Sequence, residues 1–442
     1  MQDVLGMILS KLPLKEIVRT SVLSNKWKHI WTVCPKLKFD GATICGKDAA
    51  GAQHYAQKFI ANVNRVLKRY HGKVVEELEL KFQFDATLAQ HLDVWVKFAL
   101  SSRAKNLALD LVPTRWELRP DRYRFPIELF DGESISRLQH LQLSFMSFES
   151  PLSRLNGFPN LKKLDLHVVC ATRQNFEDML SDCINLEWLS IVRCNLDDKN
   201  LTVLRPLPRL LYLHVAHCKI SGIFFIATNL PTFLYHGPPI PFYLGSALAL
   251  KDARLHVNGK IPLESALTTL PKLLPGAQDL ILHSSMPLKM PGTQGNVSKF
   301  SQLKYLQLDV IVQSEDLSNL LSLASFLSAA PFIETLEIHV STLIGYFLAT
   351  YYCSELIRMF PRSTHNYLKN LSITGFAGCT GQVELLVHIV ENAPNLETLT
   401  IDRVSFNGCD EENELRSRSK ALDIARKHLD GRTSQNTKVS MT

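Results

Sequence analysis

The fold is decided by a short pattern that returns along the chain: Leu161-Lys-Lys-Leu-Asp-Leu166, Leu186-Glu-Trp-Leu-Ser-Ile191 and Leu210-Leu-Tyr-Leu-His-Val215. In each stretch a central leucine follows an apolar residue by three positions and precedes another by two. Side chains of a β-strand alternate between two faces, so the central leucine and the apolar residue after it share one face. A short strand cannot bury that face by itself, whereas strands stacked from successive repeats can.

The pattern recurs downstream of residue 74. Nine copies are clean, with centres at Leu78, Leu141, Leu164, Leu189, Leu213, Leu306, Leu336, Leu371 and Leu399. Four are degenerate, with centres at Leu107, Phe233, Ala253 and Leu280. Most of the spacings match the roughly 20–29 residues of leucine-rich repeats. We therefore predict an α/β fold: a repeat solenoid with a curved parallel sheet on its concave side and helices and loops outside.

Helical periodicity appears between several of the predicted strands. Three sets of apolar residues show it: Phe176, Met179, Leu180 and Cys183; Leu317, Leu320, Leu321, Ala324 and Leu327; and Leu385, Ile389 and Ala393. Histidines fall on several strands, among them His167, His214, His256 and His339. We expect these histidines at the surface of the concave face.

Cys194, Cys218 and Asn258 each lie five residues after the centre of their repeat. In leucine-rich repeats this position holds Asn or Cys, whose side chain bonds to buried loop backbone. A metal site formed by Cys194, His217 and Cys218 is the alternative. Adjacent residues of a strand point to opposite faces, which disfavours His217 and Cys218 as joint ligands.

The first forty residues differ from the repeats. Residues 3–31 predict three short helices, with Pro13 at the start of the second and Ser24 as N-cap of the third. Trp27 and Trp31 share one face of that third helix. Three helices in about thirty residues cannot bury so much apolar surface, so a partner protein or the first repeat must cover it.

The stretch Asp3-Val-Leu-Gly-Met-Ile-Leu-Ser-Lys-Leu-Pro13, followed by Val18-Arg-Thr-Ser-Val-Leu-Ser-Asn-Lys-Trp27, resembles a plant F-box. The resemblance implies binding to a SKP-family adaptor, which links to cullin and a RING subunit. The implied adaptor contacts are Leu5, Ile8, Leu9, Leu12, Pro13, Leu14, Val18, Val22 and Trp27. The F-box start is truncated, because Met1-Gln2 stand where the family has Leu-Pro, and weaker adaptor binding is the expected consequence.

The remainder of the chain is similar to plant F-box/LRR proteins. Leu368-Lys-Asn-Leu-Ser-Ile-Thr-Gly-Phe-Ala-Gly378 and Glu391-Asn-Ala-Pro-Asn-Leu-Glu-Thr-Leu399 resemble the FBD module found with plant F-boxes. We predict an F-box over residues 1–40, a repeat solenoid over 41–406 with its FBD-like end at 367–406, and a charged tail over 407–442. Within that tail, Ala421–Leu429 predict a short basic helix and 431–442 predict disorder.

Composition narrows the classes of function. The net charge is +7 over 442 residues, without the dense basic and aromatic patch of a nucleic-acid binder. No apolar run reaches the roughly 18 residues of a membrane span, and no secretory signal is present. The nine cysteines are scattered, which favours free thiols in the cytoplasm or nucleus.

Motifs of catalysis are missing from the sequence. Gly375-Phe-Ala-Gly-Cys-Thr-Gly381 lacks the Lys and Ser/Thr of a phosphate-binding loop, so a turn between strand and helix explains it better. We therefore predict a non-enzyme without metal or cofactor. The resemblance to plant F-box proteins implies the substrate-recognition subunit of an SCF-type (SKP–cullin–F-box) ubiquitin ligase with an unknown protein substrate. Two alternatives stay open: a repeat scaffold that no longer binds the adaptor, and a small-molecule receptor, which would need clustered Lys and Arg on the concave face.

Overall fold

The computed structural model describes residues 34–46, 53–72, 74–149, 157–197, 199–288, 298–342, 357–358, 363–403 and 411–442. The three helices predicted for residues 3–31 lie outside these ranges. The described chain divides into two compact units. Unit 1 contains the described residues up to Ala227 together with Pro241–Gly245, and unit 2 contains Thr228–Ile240 and the residues from Ser246 onward.

Unit 1 is built on a parallel sheet whose strands follow one another in chain order. The strands of this sheet are β1 (Lys36–Asp40), β2 (Glu77–Lys81), β3 (Asn106–Asp110), β5 (His140–Ser144), β7 (Lys163–His167), β8 (Trp188–Val192) and β10 (Tyr212–Ala216). Two-residue strands form two smaller parallel sheets: β4 (Tyr123–Arg124) with β6 (Met146–Ser147), and β9 (Leu201–Thr202), β11 (Ile223–Phe224) and β13 (Phe242–Tyr243).

The strand register of unit 1 places the repeat centres in one buried row. Leu78 pairs with Leu107, Leu141 with Leu164, and Leu189 with Leu213. All of them are at most 1% exposed. Each leucine therefore fills the space beside the leucine of the next repeat, which is how stacking buries a face that one strand cannot bury.

Short helices connect the strands of unit 1. The α-helices are α1 (Gly41–Cys45), α2 (Gln53–Lys68), α3 (Ala89–Ser101), α4 (Gly132–Arg137) and α5 (Arg173–Leu180). Three 3₁₀ turns complete the connections, at Ala86–Leu88, Trp116–Leu118 and Ile127–Leu129. The α5 helix matches the predicted periodicity, and its N-cap Thr172 accepts a hydrogen bond from the backbone N–H of Asn175.

Unit 2 repeats the same architecture with longer strands. Its parallel sheet contains β12 (Thr232–Gly237), β14 (Asp252–Lys260), β15 (Asp279–Ser285), β16 (Tyr305–Val312), β17 (Thr335–Thr342), β18 (Asn370–Phe376), β19 (Thr398–Arg403) and β20 (Lys438–Met441). Its α-helices are α6 (Leu263–Leu273), α7 (Ser325–Ala329), α8 (Thr380–Asn392) and α9 (Glu411–Leu429), and Ser314–Ala324 form a 3₁₀ helix. Even the degenerate centres are in register, Phe233 with Ala253 and Ala253 with Leu280.

The predicted α/β class and parallel repeat sheet are confirmed. Lys36–Asp40, at the end of the predicted F-box span, form the first strand of the unit 1 sheet. One expectation about the end of the array was wrong: Lys438–Met441, expected to be disordered, pair with β19. Lys36–Asp40 follow the repeat pattern, with Cys34, Leu37 and Phe39 as its buried apolar residues. Lys438–Met441 lack the pattern, and backbone pairing with the sheet edge orders them without it.

The position five residues after a repeat centre behaves in two ways. The Cys194 thiol bonds to the carbonyl oxygens of Leu166 and Val192 at 3.5 and 3.4 Å, so the predicted backbone contact is confirmed. The Cys218 thiol does the same with Ile191 and Ala216. The prediction for Asn258 was wrong: β14 continues to Lys260, so this side chain stays on the exposed face.

Candidate interaction surfaces

The nine residues implied as adaptor contacts lie outside the described part of the chain. They are Leu5, Ile8, Leu9, Leu12, Pro13, Leu14, Val18, Val22 and Trp27. The described sheets offer other candidate surfaces. In both units, the side chains that alternate with the buried ones along a strand lie on its other face. Most of them are exposed or half-buried, and Ser144, Ser190 and Ala216 of unit 1 are buried exceptions. His167, His214, His256 and His339 occupy such positions, as the sequence predicts.

Unit 1 presents a row of cationic and aromatic side chains. His140, Lys163, Trp188 and Tyr212 lie side by side in the strand register. The Trp188 ring stacks on Tyr212 with centroids 3.5 Å apart, and Lys163 Nζ lies 5.2 Å from the Trp188 ring centroid. Trp188 nevertheless stays 37% exposed. Aromatic residues held rigid but accessible are frequent anchors of protein interfaces.

The next row of unit 1 is more buried. Burial raises the pKa of Asp165. Burial also lowers the pKa of His214, which lies in register with Asp165 through Ser190, and of His167, two residues further along β7. Loss of water disfavours the charged form of each group.

Unit 2 presents a row of histidines. His236, His256, His283, Asp309, His339 and Thr374 follow one another in register across six neighbouring strands. We call these six residues the histidine row. Each is half-buried. A register this regular brings together side chains that lie more than one hundred residues apart in the sequence.

Three of the imidazoles stack on one another. The His236 and His256 rings have centroids 3.9 Å apart, and the His256 and His283 rings 3.8 Å apart. His236 Nε2 also lies 3.3 Å from Oδ1 of Asn258. Parallel strands lie about 4.8 Å apart, so equivalent planar side chains on neighbouring strands stack readily.

Asp309 lies between two histidines. Its carboxylate oxygens are 3.9 Å from His283 Nδ1 and 3.7 Å from His339 Nε2. His339 Nε2 is also 3.7 Å from Oε2 of Glu337, and its Nδ1 hydrogen-bonds with the Thr374 hydroxyl. The carboxylates of Asp309 and Glu337 therefore each lie within 4.0 Å of a histidine ring nitrogen.

The Tyr305 side chain lies beside the histidine row, near the carboxylates of Asp279, Asp309 and Glu337. Its hydroxyl donates to Oε1 of Gln307 at 3.0 Å, and the Gln307 amide donates to Asp309. Burial and the charges of Glu337, Asp309 and Asp279 raise the pKa of Tyr305 to about 12. Carboxylates from β15, β16 and β17 therefore act on the Tyr305 side chain.

Sequence reasoning found two members of the histidine row, His256 and His339, and missed the other four, His236, His283, Asp309 and Thr374. The missing signal was the residue three positions after each repeat centre, counted from Phe233, Ala253, Leu280, Leu306, Leu336 and Leu371. Repeats of unequal length hide this regularity until the centres are aligned. The row is a property of the aligned repeats and not of any single motif.

The glycine-rich stretch that the sequence analysis tested as a phosphate-binding loop has a structural role. The loop from Gly375 to Gly381 joins β18 to α8, as the predicted turn requires. Across the described ranges, no group of three or more His, Cys, Asp or Glu side chains is placed to hold a metal ion. No described helix is long and apolar enough to cross a bilayer.

Comparisons with known proteins match both parts of the chain. Residues 66–439 match the family model for the At1g61320/AtMIF1 LRR domain, and residues 2–39 match the F-box domain. The F-box/FBD/LRR-repeat protein At1g13570 of Arabidopsis thaliana is 25% identical over 90% of this chain and 89% of its own length. The F-box/FBD/LRR-repeat protein At2g04230 of the same plant is 27% identical over 75% of this chain and 71% of its own.

Proposed function

Because the chain belongs to the family of plant F-box proteins with leucine-rich repeats and FBD-like features, we propose that it is the substrate-recognition subunit of an SCF-type ubiquitin ligase. The observation that carries this proposal is the pairing of two matches in one chain. An F-box match covers residues 2–39, and a repeat domain match covers residues 66–439. The F-box part is suited to binding an adaptor, and the repeat domain is suited to binding a partner protein.

In this proposal the F-box binds a SKP-family adaptor, and through it cullin and a RING subunit. Its contacts are the apolar side chains Leu5, Ile8, Leu9, Leu12, Pro13, Leu14, Val18, Val22 and Trp27. These residues supply the excess apolar surface that three short helices cannot bury among themselves. The complex works in the cytoplasm or nucleus.

The exposed sheet faces bind the protein substrate. The stacked pair Trp188 and Tyr212 supports this role in unit 1, because rigid aromatic side chains lose little conformational entropy on binding. Bond chemistry belongs to other subunits: holding a substrate lysine near a ubiquitin-charged enzyme accelerates transfer by proximity. The chain itself is non-catalytic in this proposal.

Two alternatives have weaker support. The first is a repeat scaffold that does not bind the adaptor. A small-molecule receptor of the inositol-phosphate type needs clustered basic side chains on the exposed face. Lys36 and Lys38 of β1 already pair with Glu77 and Glu79, and Arg254 pairs with Asp252.

Ubiquitin transfer in a reconstituted complex tests the proposal. The full chain is combined with a plant SKP-family adaptor, cullin, RING subunit and charged ubiquitin-conjugating enzyme, and ubiquitin on the chain's own lysines is followed by mass spectrometry. We expect modification that requires the adaptor and is strongly reduced in Trp27→Ala. Modification that is equal with and without the adaptor would reject the proposal.

A further inference from the structure

The exposed face of β14–β17 is acidic although the whole chain carries a net charge of +7. We consider the first three positions of each strand that lie on the exposed face. Among them, the residues of type Asp, Glu, Lys or Arg are Asp252, Arg254, Asp279, Asp309 and Glu337. Arg254 is engaged by Asp252, with nitrogen–oxygen distances of 3.0 to 3.2 Å. Among the described residues, no lysine or arginine forms an ion pair within 4.0 Å with the other three carboxylates, and Arg254 and Lys304 act on Asp279 only from a longer distance.

These three carboxylates surround one aromatic side chain. Asp279 is the register neighbour of Tyr305, and Glu337 and Asp309 act on it from β17 and from its own strand. A cation brought to this point meets negative charge from three strands and can lie against an aromatic ring. Lysine and arginine side chains have the charge and the reach for both contacts.

Two histidines compete for the same carboxylates. His283 and His339 lie 3.9 and 3.7 Å from the oxygens of Asp309, and His339 lies 3.7 Å from Glu337. Histidine gains its positive charge as the pH falls between about 8 and 5. Neutral histidines leave the carboxylates to an external cation. Protonated histidines neutralise them from within and repel that cation.

We propose that the exposed face around Tyr305, bounded by His283 and His339, binds a lysine- or arginine-rich segment of a partner protein, and that this binding weakens as the pH falls from 7.5 to 5.5. The inference rests on the proposed function only in taking that partner as the ligase substrate. The substrate in this proposal carries a lysine- or arginine-rich segment, and pH regulates its binding.

The sign of the pH effect follows from linkage. A basic segment binds best to the face whose histidines are neutral, so binding releases protons when they start protonated. The charged and titratable groups facing these two histidines come from each neighbouring strand. They are His236 on β12, Asp252, Arg254 and His256 on β14, Asp279 on β15, Tyr305 and Asp309 on β16, and Glu337 on β17.

Fluorescence anisotropy of the full chain with a rhodamine-labelled peptide of alternating Lys and Ser tests the docking. Measurements are made at pH 7.5 and 5.5 at one ionic strength of about 0.15 M, with a Gln–Ser peptide as control. We expect the Lys–Ser peptide to bind at pH 7.5 and the Gln–Ser peptide not to bind. Asp309→Asn combined with Glu337→Gln should weaken binding about tenfold.

The control is Glu264→Gln, which removes one negative charge from an exposed position in the first turn of α6 and is compared with the single variants Asp309→Asn and Glu337→Gln as well. We expect it to change affinity by less than about twofold, because Glu264 is not one of the carboxylates that act on Tyr305 and salt screens exposed charges. An equal loss in the control and in the double variant would overturn the site. So would the absence of Lys–Ser binding to the folded chain.

The histidines have their own test. We expect the wild-type chain to lose about tenfold in affinity between pH 7.5 and 5.5, and His283→Asn with His339→Asn to lose less than half of that on a logarithmic scale. A double variant that keeps the full pH dependence would overturn the regulatory role. Adaptor binding and ubiquitin transfer test the F-box at residues 2–39. Failure of the proposed function is therefore distinguishable from failure of peptide binding at Tyr305.

Discussion

Arg358 holds the carboxylate of Glu384, a side chain with no exposed surface. Arg358 Nε lies 3.0 and 3.1 Å from the two carboxylate oxygens, and Nη2 lies 2.8 Å from Oε2. The backbone N–H of Arg358 donates to the same carboxylate at 2.8 Å. These hydrogen bonds raise the pKa of Arg358. A carboxylate buried on α8 is thereby neutralised by one cation.

We expect Arg358→Ala to lower the free energy of unfolding by about 3 kcal/mol, because it leaves a buried carboxylate without its cation. The value is at the lower end of the usual range because the Arg358 side chain is 46% exposed. The double variant Arg358→Ala with Glu384→Met should recover most of the loss. Urea denaturation at pH 7.5 measures both, and a double variant no better than the single would contradict the account.

Gly375 is required by the backbone at the end of β18. Its φ is +76°, and a Cβ at this position would collide with the carbonyl oxygen of Val340. We expect Gly375→Ala to destabilise the chain by about 2 kcal/mol or more. Gly132→Ala is the control, since Gly132 opens α4 with nothing within 4 Å of its Cβ position. Equal unfolding midpoints for the two variants would refute this reading of Gly375.

His365 makes stability depend on pH. Burial, and then the neighbouring His388, lower its pKa from 6.5 to about 4, and its Nε2 has no hydrogen-bond partner among the described residues. The unfolded chain takes up this proton first as the pH falls. Stability from His365 is therefore present above about pH 6.5, is lost as the pH falls towards 4, and levels off below.

The measurement compares the urea midpoints of wild type and His365→Leu from pH 7.5 to 4.5. The leucine variant keeps the other titrating groups, so only the difference between the two curves reports on His365. We expect the wild type to lose more stability than the variant over this interval. Parallel curves would show that His365 does not carry the effect.

Thiol reactivity should follow burial. Cys183, Cys194 and Cys218 are buried, while Cys45 and Cys170 are half-buried. Burial raises the pKa values of Cys183 and Cys194, which lowers the fraction of reactive thiolate. We expect iodoacetamide to modify Cys170 in the native chain and to reach Cys194 only after denaturation. Mass spectrometry of native and urea-treated samples separates these outcomes, and native labelling of Cys194 would contradict the packing described.

The buried face of the repeats was predictable from sequence because it is a packing requirement. A centre such as Leu306 or Leu336 must be apolar, so its pattern survives irregular spacing. Even Ala253 keeps its place, because the register is carried by backbone pairing with the neighbouring strand. Leu37 follows the repeat pattern with Cys34 and Phe39 but lies inside the predicted F-box span, whereas the strand of Val439 lacks the central leucine and the apolar residue three positions before it.

The exposed face was not predictable in the same way. Nothing in packing requires His283 beside Asp309, since solvent-facing positions tolerate most residue types. Their proximity follows from the register of two strands whose centres are 26 residues apart, Leu280 and Leu306. The site became visible only once the strands were aligned, which the sequence supports but does not display.

Calorimetric titration of the full chain with a plant SKP-family adaptor tests the central claim most directly, because adaptor binding is what makes the chain a ligase subunit. We expect a saturable heat of binding that Trp27→Ala weakens about thirtyfold, corresponding to roughly 2 kcal/mol for a buried interface tryptophan. Trp188→Ala, the same substitution on the sheet of unit 1, should leave the affinity unchanged. Absence of binding by the folded wild-type chain, or equal weakening by both substitutions, would contradict the account.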